Sequence, residues 1–369
     1  MHALHAIGTT HALADRLVRV AVLGCGLIGS RWDEPGTAGR SDFSLSHAAA
    51  FRHAAGARLV GFCDADLARA QQASRAWDVG PAFDDAATLC AATRPDLVVV
   101  ATPSAVRSAV IGPVLAAGVR ALVIEKPLAT TLREAQALAQ QLAAHGATAQ
   151  INYLRHWDPA MQALRQRIAA GDLGRVQRLV GLYGKGLANN GSHLIDLAGL
   201  LCGARPWRVR TLGGPATAQG WAGNGSTDPS IDAQVQYRQA DGSTIQLDML
   251  ATDAAAFSCF ELTVVGTRAI CDIRLGGRRI DWRPVQDDPH YPGYRVPGDG
   301  AALPAGQLGA MDQMAADALA LARGTLAVPR CGVDQALATA RAVDRLQTQH
   351  AQPSSSGPAG WLSMDDHDN

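Results

Sequence analysis

The sequence lacks several features of exported, metal-binding or nucleic-acid-binding proteins. Its 7 cysteines stand singly, and no C-x-x-C pair or Cys/His spacing favours a zinc site or a disulfide framework. The 33 Lys and Arg residues balance 33 Asp and Glu, so no net charge attracts nucleic acid or an anionic membrane. The start has no basic segment followed by an apolar one, and no apolar run reaches the roughly 20 residues of a membrane span. We therefore expect a cytoplasmic protein with a small-molecule partner and no metal, nucleic acid or membrane.

The composition is that of a globular protein with room for two domains. The chain has 369 residues, of which 47% are hydrophobic and 18% charged. We predict an N-terminal extension over 1–17, a first domain over 18–150 and a second over 151–350. A polar tail over 351–369, rich in Ser, Pro and Gly, is predicted to be disordered.

The first domain alternates strands with helices. The apolar run 18–23 ends in a G-x-G-x-x-G motif, and further continuous apolar runs end near 63, 101 and 124. Helical segments separate these runs, which is typical of a parallel sheet covered on both faces. The prediction is a doubly wound α/β Rossmann domain.

The glycine motif directly after a strand predicts a dinucleotide site. Gly24 allows the tight turn, Gly26 lets backbone amides approach a pyrophosphate, and Gly29 permits close packing of the following helix. Asp64, at the tip of the second strand, is placed to accept hydrogen bonds from an adenosine ribose. The alternative is that it caps the next helix, a role that Asp66 could also fill.

The surroundings of Asp64 favour NAD over NADP. Ala65 follows it, so no adjacent basic residue offers a partner to a 2′-phosphate; Arg69, one helical turn on, is the nearest basic residue. Segment 30–46 is polar and rich in turn residues, and we interpret it as an insertion in the motif. It could form a lid or a wall of the substrate site, or an ordinary surface loop.

The second domain is predicted to be α+β, with one antiparallel sheet following a helix over Pro159–Ala170. Asp241-Gly242 and Gly266-Thr267 are turn signals, and stretches near 219–230 and 284–307 are predicted to be loops. The predicted strands are Val176–Tyr183, Trp207–Leu212, Asp232–Tyr237, Ile245–Leu250, Phe260–Val265 and Ala269–Ile273.

An ordered set of motifs resembles the Gfo/Idh/MocA oxidoreductase family. The set comprises G-C-G-L-I-G at 24–29, A-T-P at 101–103, E-K-P at 125–127, N-Y-L-R-H-W-D-P at 152–159 and G-S-H-L-I-D-L at 191–197. The resemblance implies a Rossmann domain followed by an α+β domain with a large open sheet, and an NAD(P)-dependent enzyme acting on sugars, inositols or sugar derivatives. It also implies a homodimer or homotetramer assembled through that sheet. The cofactor-binding residues implied are Gly24, Gly26, Leu27, Ile28, Gly29, Asp64, Thr102, Pro103, Glu125 and Lys126.

The resemblance assigns catalytic roles to a lysine and a histidine. Lys126, at a strand tip, is expected beside the nicotinamide, where an ammonium stabilises charge on the reacting oxygen. His193, near the start of a helix, is expected to transfer the proton. The family has an Asp four residues before this His, but the position here is Asn189, which can orient a hydroxyl but cannot accept its proton.

The remaining expected site residues form a basic, partly aromatic set. The resemblance places Tyr153, Arg155 and Lys185 with Asn189 as substrate-binding residues. It also matches Arg107 to a family histidine position, from which Arg107 could contact a carboxylate or phosphate of the substrate.

Three functions are therefore considered. The leading one is hydride transfer between nicotinamide and a secondary hydroxyl or ketone of a sugar, inositol or nucleotide-linked sugar. A second is a glycosidase that oxidises a ring carbon transiently, and a third is a non-catalytic protein that senses dinucleotide.

Overall fold

The computed structural model describes residues 16–35, 42–213, 228–304, 309–352 and 359–364. The chain divides into two compact units, the first formed by Met1–Trp157 with Gly309–Ala336 and the second by Asp158–Leu308 with Leu337–Asn369. The predicted boundary at 150/151 lies shortly before the end of the first segment of this unit, and the return of the chain to the first unit after 308 was not predicted. Most of the predicted extension over 1–17 lies outside the described residues.

The first unit contains a six-stranded parallel sheet of order β3-β2-β1-β4-β5-β6. This is the Rossmann strand order, and the predicted fold class is confirmed. The central strands are buried on both faces, as their unbroken Val, Ile and Leu runs require. The strands are β1 Val18–Leu23, β2 Ala57–Cys63, β3 Ala82–Phe83, β4 Leu97–Val100, β5 Ala121–Ile124 and β6 Thr148–Ile151.

Helices connect these strands, and several of them begin at a residue whose side chain accepts a hydrogen bond from an amide of the first turn. Ser46, for example, accepts a hydrogen bond from the Ala49 amide, and Thr131 with Glu134 forms a capping box. The helices of this part are α1 His47–His53, α2 Leu67–Ala76, α3 Ala86–Thr93, α4 Arg107–Ala116 and α5 Leu132–Ala144.

The segment that returns to the first unit contributes to its core. It contains α8 Ala310–Arg323, whose Met311, Met314 and Leu319 are buried. The side-chain amide of Gln150 donates a hydrogen bond through Nε2 to the main-chain oxygen of Met314 at 3.2 Å. Sequence patterns indicated this helix but not the unit to which it belongs.

The segment predicted as an insertion has structured ends. Ser30 belongs to a π-helix over Leu27–Arg31, Ser46 caps α1, and the Asp33 carboxylate accepts hydrogen bonds from the amides of Leu45 and Ser46 at 2.7 and 2.6 Å. Only its middle, 36–41, lies outside the described residues. Both ends of the predicted insertion therefore belong to helical elements or their caps.

The second unit is built on a ten-stranded sheet of order β14-β13-β12-β11-β7-β10-β9-β8-β16, with β15 paired to β13. All pairs are antiparallel except β7 with β10, which is parallel. One face carries the apolar core, and half-buried polar residues such as Gln234, Gln236 and Asp248 alternate with it. The strands are β7 Val176–Tyr183, β8 Arg205–Gly213, β9 Asp232–Arg238, β10 Thr244–Ala251, β11 Phe260–Gly266, β12 Ala269–Arg274, β13 Arg279–Asp287, β14 Arg295–Pro297, β15 Ala301–Leu303 and β16 Leu362–Ser363.

Two further helices belong to the second unit, and most of a third belongs to it as well. They are α6 Pro159–Ala169, α7 Ser192–Cys202 and α9 Val333–Ala351, and the division between the units falls within α9, after Ala336. Leu194 and Leu197 of α7 and Leu346 of α9 join the core of the sheet.

Two predictions for the second unit were wrong in part. The stretch 284–304 is not entirely loop, because β13 extends to Asp287 and two short strands follow it. The tail predicted as disordered contains β16, which pairs with Arg208 and Val209, and the side chain of Met364 is buried. Both errors arise because short strands at a sheet edge are specified by their partner strand rather than by a long apolar pattern of their own.

None of the helices in the described ranges combines the length and apolarity needed to cross a membrane.

Candidate functional site

The turn after β1 is built around two glycines that leave no room for a side chain. Gly24 has a φ of +93°, and a Cβ there would lie 2.6 Å from the carbonyl carbon of Ala101. A Cβ at Gly29 would lie 1.9 Å from the Gly24 main-chain oxygen. A Cβ at Gly26 would meet nothing within 4 Å, so this glycine borders open space beside exposed Leu27 and half-buried Ile28. That is the arrangement a backbone cradle for a pyrophosphate needs.

Asp64 connects this turn to the end of β2. One carboxylate oxygen accepts a hydrogen bond from the Cys25 amide at 2.8 Å, and the other accepts one from the Asp66 amide at 3.0 Å. The helix α2 is capped by Asp66, which accepts from the Ala68 amide at 3.1 Å. Of the two roles considered for Asp64, capping α2 is therefore taken by Asp66.

The basic residue nearest to Asp64 in the sequence has an acidic partner. Arg69 Nε lies 3.3 Å from Asp66 Oδ2, and both side chains are more than half exposed. A 2′-phosphate would have to compete with Asp66 for this guanidinium, which agrees with the preference for NAD over NADP.

The Glu125-Lys126-Pro127 segment follows β5, and its Lys126–Pro127 peptide bond is cis. Glu125 is buried, whereas Lys126 is half-buried. The Glu125 Oε1 atom accepts hydrogen bonds from His47 Nε2 at 2.8 Å and from Asn152 Nδ2 at 2.7 Å. Burial alone would raise the pKa of Glu125, but these hydrogen bonds and the charges of His47 and Lys126 lower it below its ordinary value. The carboxylate is therefore ionised at neutral pH.

Arg107 does not serve as a surface contact for a substrate anion. Its side chain is 2% exposed, and its guanidinium donates hydrogen bonds to the main-chain oxygens of Thr102 at 2.8 Å, Glu125 and Pro127. Burial lowers the pKa of Arg107 to about 10, and the charge of Glu125 opposes this shift. The expectation of a substrate contact was wrong, since the guanidinium instead joins the loops after β4 and β5.

The other expected residues of the first unit differ in exposure. Tyr153 and Arg155 are 2% and 8% exposed, so neither is a surface side chain. Thr102 is half-buried, and its hydroxyl has no hydrogen-bond partner; Pro103 beside it is exposed. An unpaired buried hydroxyl at the end of β4 is a group that a ligand at the carboxyl edge of the sheet could satisfy.

In the second unit, Lys185 and Asn189 lie in the segment before α7, called here the Asn189 loop, of which Leu187–Gly191 forms a π-helix. Lys185 has a φ of 65°, and its main-chain oxygen accepts a hydrogen bond from Asn189 Nδ2 at 3.2 Å. The Asp228 carboxylate accepts hydrogen bonds from the amides of Ala188 and Asn189 at 3.0 and 2.8 Å. Thus a carboxylate does lie beside position 189, but it comes from a distant part of the chain and bonds the backbone.

His193 is the second residue of α7 and is half-buried. Its ring meets that of Phe260 edge to face, with centroids 6.4 Å apart and an interplanar angle of 86°. This contact orients the imidazole while leaving part of it exposed, as proton transfer to a ligand requires.

The residues of the first unit fit a bound dinucleotide. The open space at Gly26, the carboxylate at the end of β2 and the unpaired Thr102 hydroxyl all occur at the carboxyl edge of a Rossmann sheet. The sequence model of the GFO_IDH_MocA family, described as an oxidoreductase family with an NAD-binding Rossmann fold, matches residues 18–153. This segment belongs to the Gfo/Idh/MocA family. For residues 18–153, the predicted family and the NAD-binding class are confirmed.

Two named relatives match only part of this chain, over a length similar to that of the Gfo/Idh/MocA segment. D-apiose dehydrogenase of Paraburkholderia graminis is 32% identical over 132 residues, which are 36% of this chain and 35% of that protein. The scyllo-inositol 2-dehydrogenase (NAD(+)) of Bacillus subtilis is 28% identical over 120 residues, 32% of this chain and 35% of that protein. The chain thus spans about a third of the length of these two relatives.

Solved structures of similar fold extend over nearly the whole chain. An NAD binding oxidoreductase from Klebsiella pneumoniae has a TM-score of 0.72 at 18% identity and covers 95% of this chain and 100% of that one. An inositol dehydrogenase homolog complexed with NAD+ from Azotobacter vinelandii has a TM-score of 0.68 at 18% identity, covering 94% and 97%. At these identities the likeness shows the two-part fold.

Sequence reasoning missed three residues that hold the site residues in place. They are His47 and Asn152, which bond Glu125, and Asp228, which bonds the Asn189 loop. The only local signal was the Ser46-His47 start of a helix. The partners are 78, 27 and 39 positions apart in the chain, so the fold alone brings them together.

Proposed function

We propose that the protein is an NAD-dependent dehydrogenase or reductase acting on a secondary hydroxyl or ketone of a sugar, inositol or sugar derivative. The proposal rests on an arrangement within the Gfo/Idh/MocA segment. The glycine turn follows β1 and is bonded to Asp64 at the end of β2, and the ionised Glu125 precedes Lys126 at the end of β5. The similarity to D-apiose and scyllo-inositol dehydrogenases supports the substrate class.

Within this proposal the residues of the first unit hold the cofactor. The backbone from Gly24 to Gly29 receives the pyrophosphate, Asp64 accepts hydrogen bonds from the ribose, and Thr102, Pro103 and Glu125 border the nicotinamide end. Bound NAD supplies a hydride acceptor or donor. The Lys126 ammonium stabilises negative charge on the substrate oxygen.

In the second unit, His193 is the proposed proton-transfer group and Asn189 a hydrogen-bond partner of the substrate. Phe260 sets the orientation of the imidazole, and Asp228 fixes the loop that carries Asn189. Lys185, Tyr153 and Arg155 remain proposed substrate-binding residues. A homodimer or homotetramer through the open sheet and a cytoplasmic location complete the proposal, and light scattering of the purified protein tests the first of these.

A substrate screen tests the proposed reaction. Purified protein is mixed with inositols, aldoses, sugar acids and nucleotide-linked sugars, each with NAD or NADP, and formation of NADH or NADPH is followed by absorbance. We expect NADH to accumulate in stoichiometric amounts with NAD and at least one polyol or sugar, and NADPH to form more slowly or not at all with NADP. Lys126→Ala and His193→Ala should each lower turnover by roughly a hundredfold or more while NADH still binds.

The same screen extended to chromogenic glycosides, with release of the aglycone as a second readout, separates the alternatives. Cleavage of a glycoside without net NADH would identify the transient-oxidation glycosidase. Tight NADH binding without turnover of any candidate would favour the sensing protein and contradict the proposed enzyme.

A further inference from the structure

The function proposed above assigns no catalytic or binding role to His47, which contacts Glu125. His47 is 0% exposed, Glu125 8% and Asn152 4%. His47 Nε2 and Asn152 Nδ2 both donate to one carboxylate oxygen, Oε1 of Glu125. Two separate segments of the first unit thus converge on the buried carboxylate of a third.

The position of His47 is fixed by the start of α1. Ser46 caps this helix by accepting a hydrogen bond from the Ala49 amide at 3.3 Å, so His47 is its first residue. Its Nδ1 atom is buried without a hydrogen-bond partner. The hydrogen bond of the imidazole to Glu125 is therefore made through Nε2, which donates to the carboxylate.

A buried carboxylate stays ionised only when donors and positive charges outweigh its lost hydration. The groups that face Glu125 are His47 from α1, Asn152 from the end of β6, Lys126 beside it in the chain, and Arg107, whose guanidinium bonds its main-chain oxygen. Removing His47 would take away one of the hydrogen-bond donors to Oε1, and the charged form would lose much of its support.

We propose that His47 is a positioning residue for Lys126: it holds Glu125 in its charged form, and that charge keeps Lys126 protonated and directed along the edge of the sheet. The catalytic consequence rests on the proposed dehydrogenase function. The electrostatic part does not depend on any reaction.

The sequence offers a direct measurement, because it contains only two lysines, Lys126 and Lys185. Reductive methylation with ¹³C-formaldehyde keeps the lysine charge and gives one NMR resonance for each lysine besides the terminal amine. The pH titration of each resonance reports the charge of that lysine. Lys185, in the second unit, serves as the internal control.

Four variants define the test. His47→Leu removes the donor, Glu125→Gln removes the charge, and His47→Gln keeps an amide donor near the place of Nε2. His53→Leu is the matched control, since His53 lies exposed at the other end of α1. We expect the midpoint of the Lys126 titration to fall by roughly 0.5 pH unit or more in His47→Leu and Glu125→Gln. It should stay near the wild-type value in His47→Gln and His53→Leu, and Lys185 should not shift in any variant.

An unchanged Lys126 midpoint in both His47→Leu and Glu125→Gln would overturn the proposal. A shift of the Lys126 midpoint in Glu125→Gln without one in His47→Leu would show that Glu125 acts on Lys126 without help from His47, which also contradicts the proposal. If His47→Leu does not fold by circular dichroism, His47→Asn replaces it, because its amide is too short to reach Glu125.

Turnover supplies the second readout once a substrate is known. His47→Leu should lower kcat by roughly tenfold while the NADH Kd changes less than about twofold, and His47→Gln should recover most of the rate. If the wild type turns over no substrate, the proposed function fails while the titration still decides the role of His47.

Discussion

The glycines of the turn after β1 share one motif but differ in their surroundings. Gly29 packs against the backbone of Gly24, whereas Gly26 faces open space. We expect Gly29→Ala to destabilise the protein by about 1–3 kcal/mol or more, because the backbone must move to admit the methyl group. Gly26→Ala should leave the Tm nearly unchanged and weaken NADH binding by roughly tenfold, because the methyl group would occupy the space next to the phosphates.

Thermal melting and NADH titration of the two variants make the comparison. A Gly26→Ala protein that melts as early as Gly29→Ala would contradict the distinction. Unchanged NADH affinity in Gly26→Ala would mean that the open space beside it is not the phosphate site.

Glu125 gives a pH dependence of stability with a definite sign. Its pKa in the folded protein is lowered, so its ionised form stabilises the fold above the unfolded-state pKa of about 4.3. This contribution is lost as the pH falls through the lower folded-state pKa. We expect the stability difference between wild type and Glu125→Gln to be largest near neutral pH and to shrink below about pH 4.

Urea unfolding of both proteins at several pH values measures this difference. Glu134→Gln is the control, since Glu134 is exposed and Gln also supports a capping box. A difference that grows on acidification would show that Glu125 is not held ionised in the fold.

At the scale of elements, helix capping and the proposed cofactor binding fall to two different aspartates, Asp66 and Asp64 respectively. Asp66 caps α2, so Asp66→Ala should cost about 1 kcal/mol of stability and leave NADH affinity within about twofold. Asp64→Asn keeps the shape of the side chain but loses its charge, and it should weaken NADH binding and reduce the preference over NADPH.

Calorimetric titration of both dinucleotides into both variants distinguishes these effects. Equal losses of NADH affinity in the two variants would mean that the α2 cap, rather than Asp64, limits binding. A gain in NADPH affinity in Asp66→Ala would show that releasing Arg69 creates a phosphate contact.

At the scale of the whole molecule, the first unit needs a segment from late in the chain. The side chains of Met311, Met314 and Leu319 are buried, and burying three such groups contributes about 5–9 kcal/mol, comparable with the total stability of a domain. We expect a fragment of residues 16–157 to lack a cooperative thermal transition. Joining residues 309–336 to its end through a flexible linker should restore the transition.

The same fusion carrying Met314→Asp is the matched control and should not melt cooperatively. A fragment of 16–157 that unfolds cooperatively and binds NADH without the added helix would show that the first unit is complete without its late segment.

The sequence by itself determined the α/β class of the first unit, the glycine turn, the Asp64 strand tip and the Glu125-Lys126 pair. These features are local: an apolar run, a turn and the residue that follows it are adjacent in the chain. The hairpin at Asp241-Gly242 was equally readable, because its turn residues stand between two alternating segments.

Only the tertiary structure decided what surrounds these residues. It brought His47 and Asn152 to Glu125, buried Arg107 against the loops after β4 and β5, and joined Asp228 to the Asn189 loop. It also returned α8 to the first unit and added β16 to the edge of the second sheet. Most of these contacts join segments far apart in the chain, where side-chain reach and burial set the outcome and no local pattern records the partner.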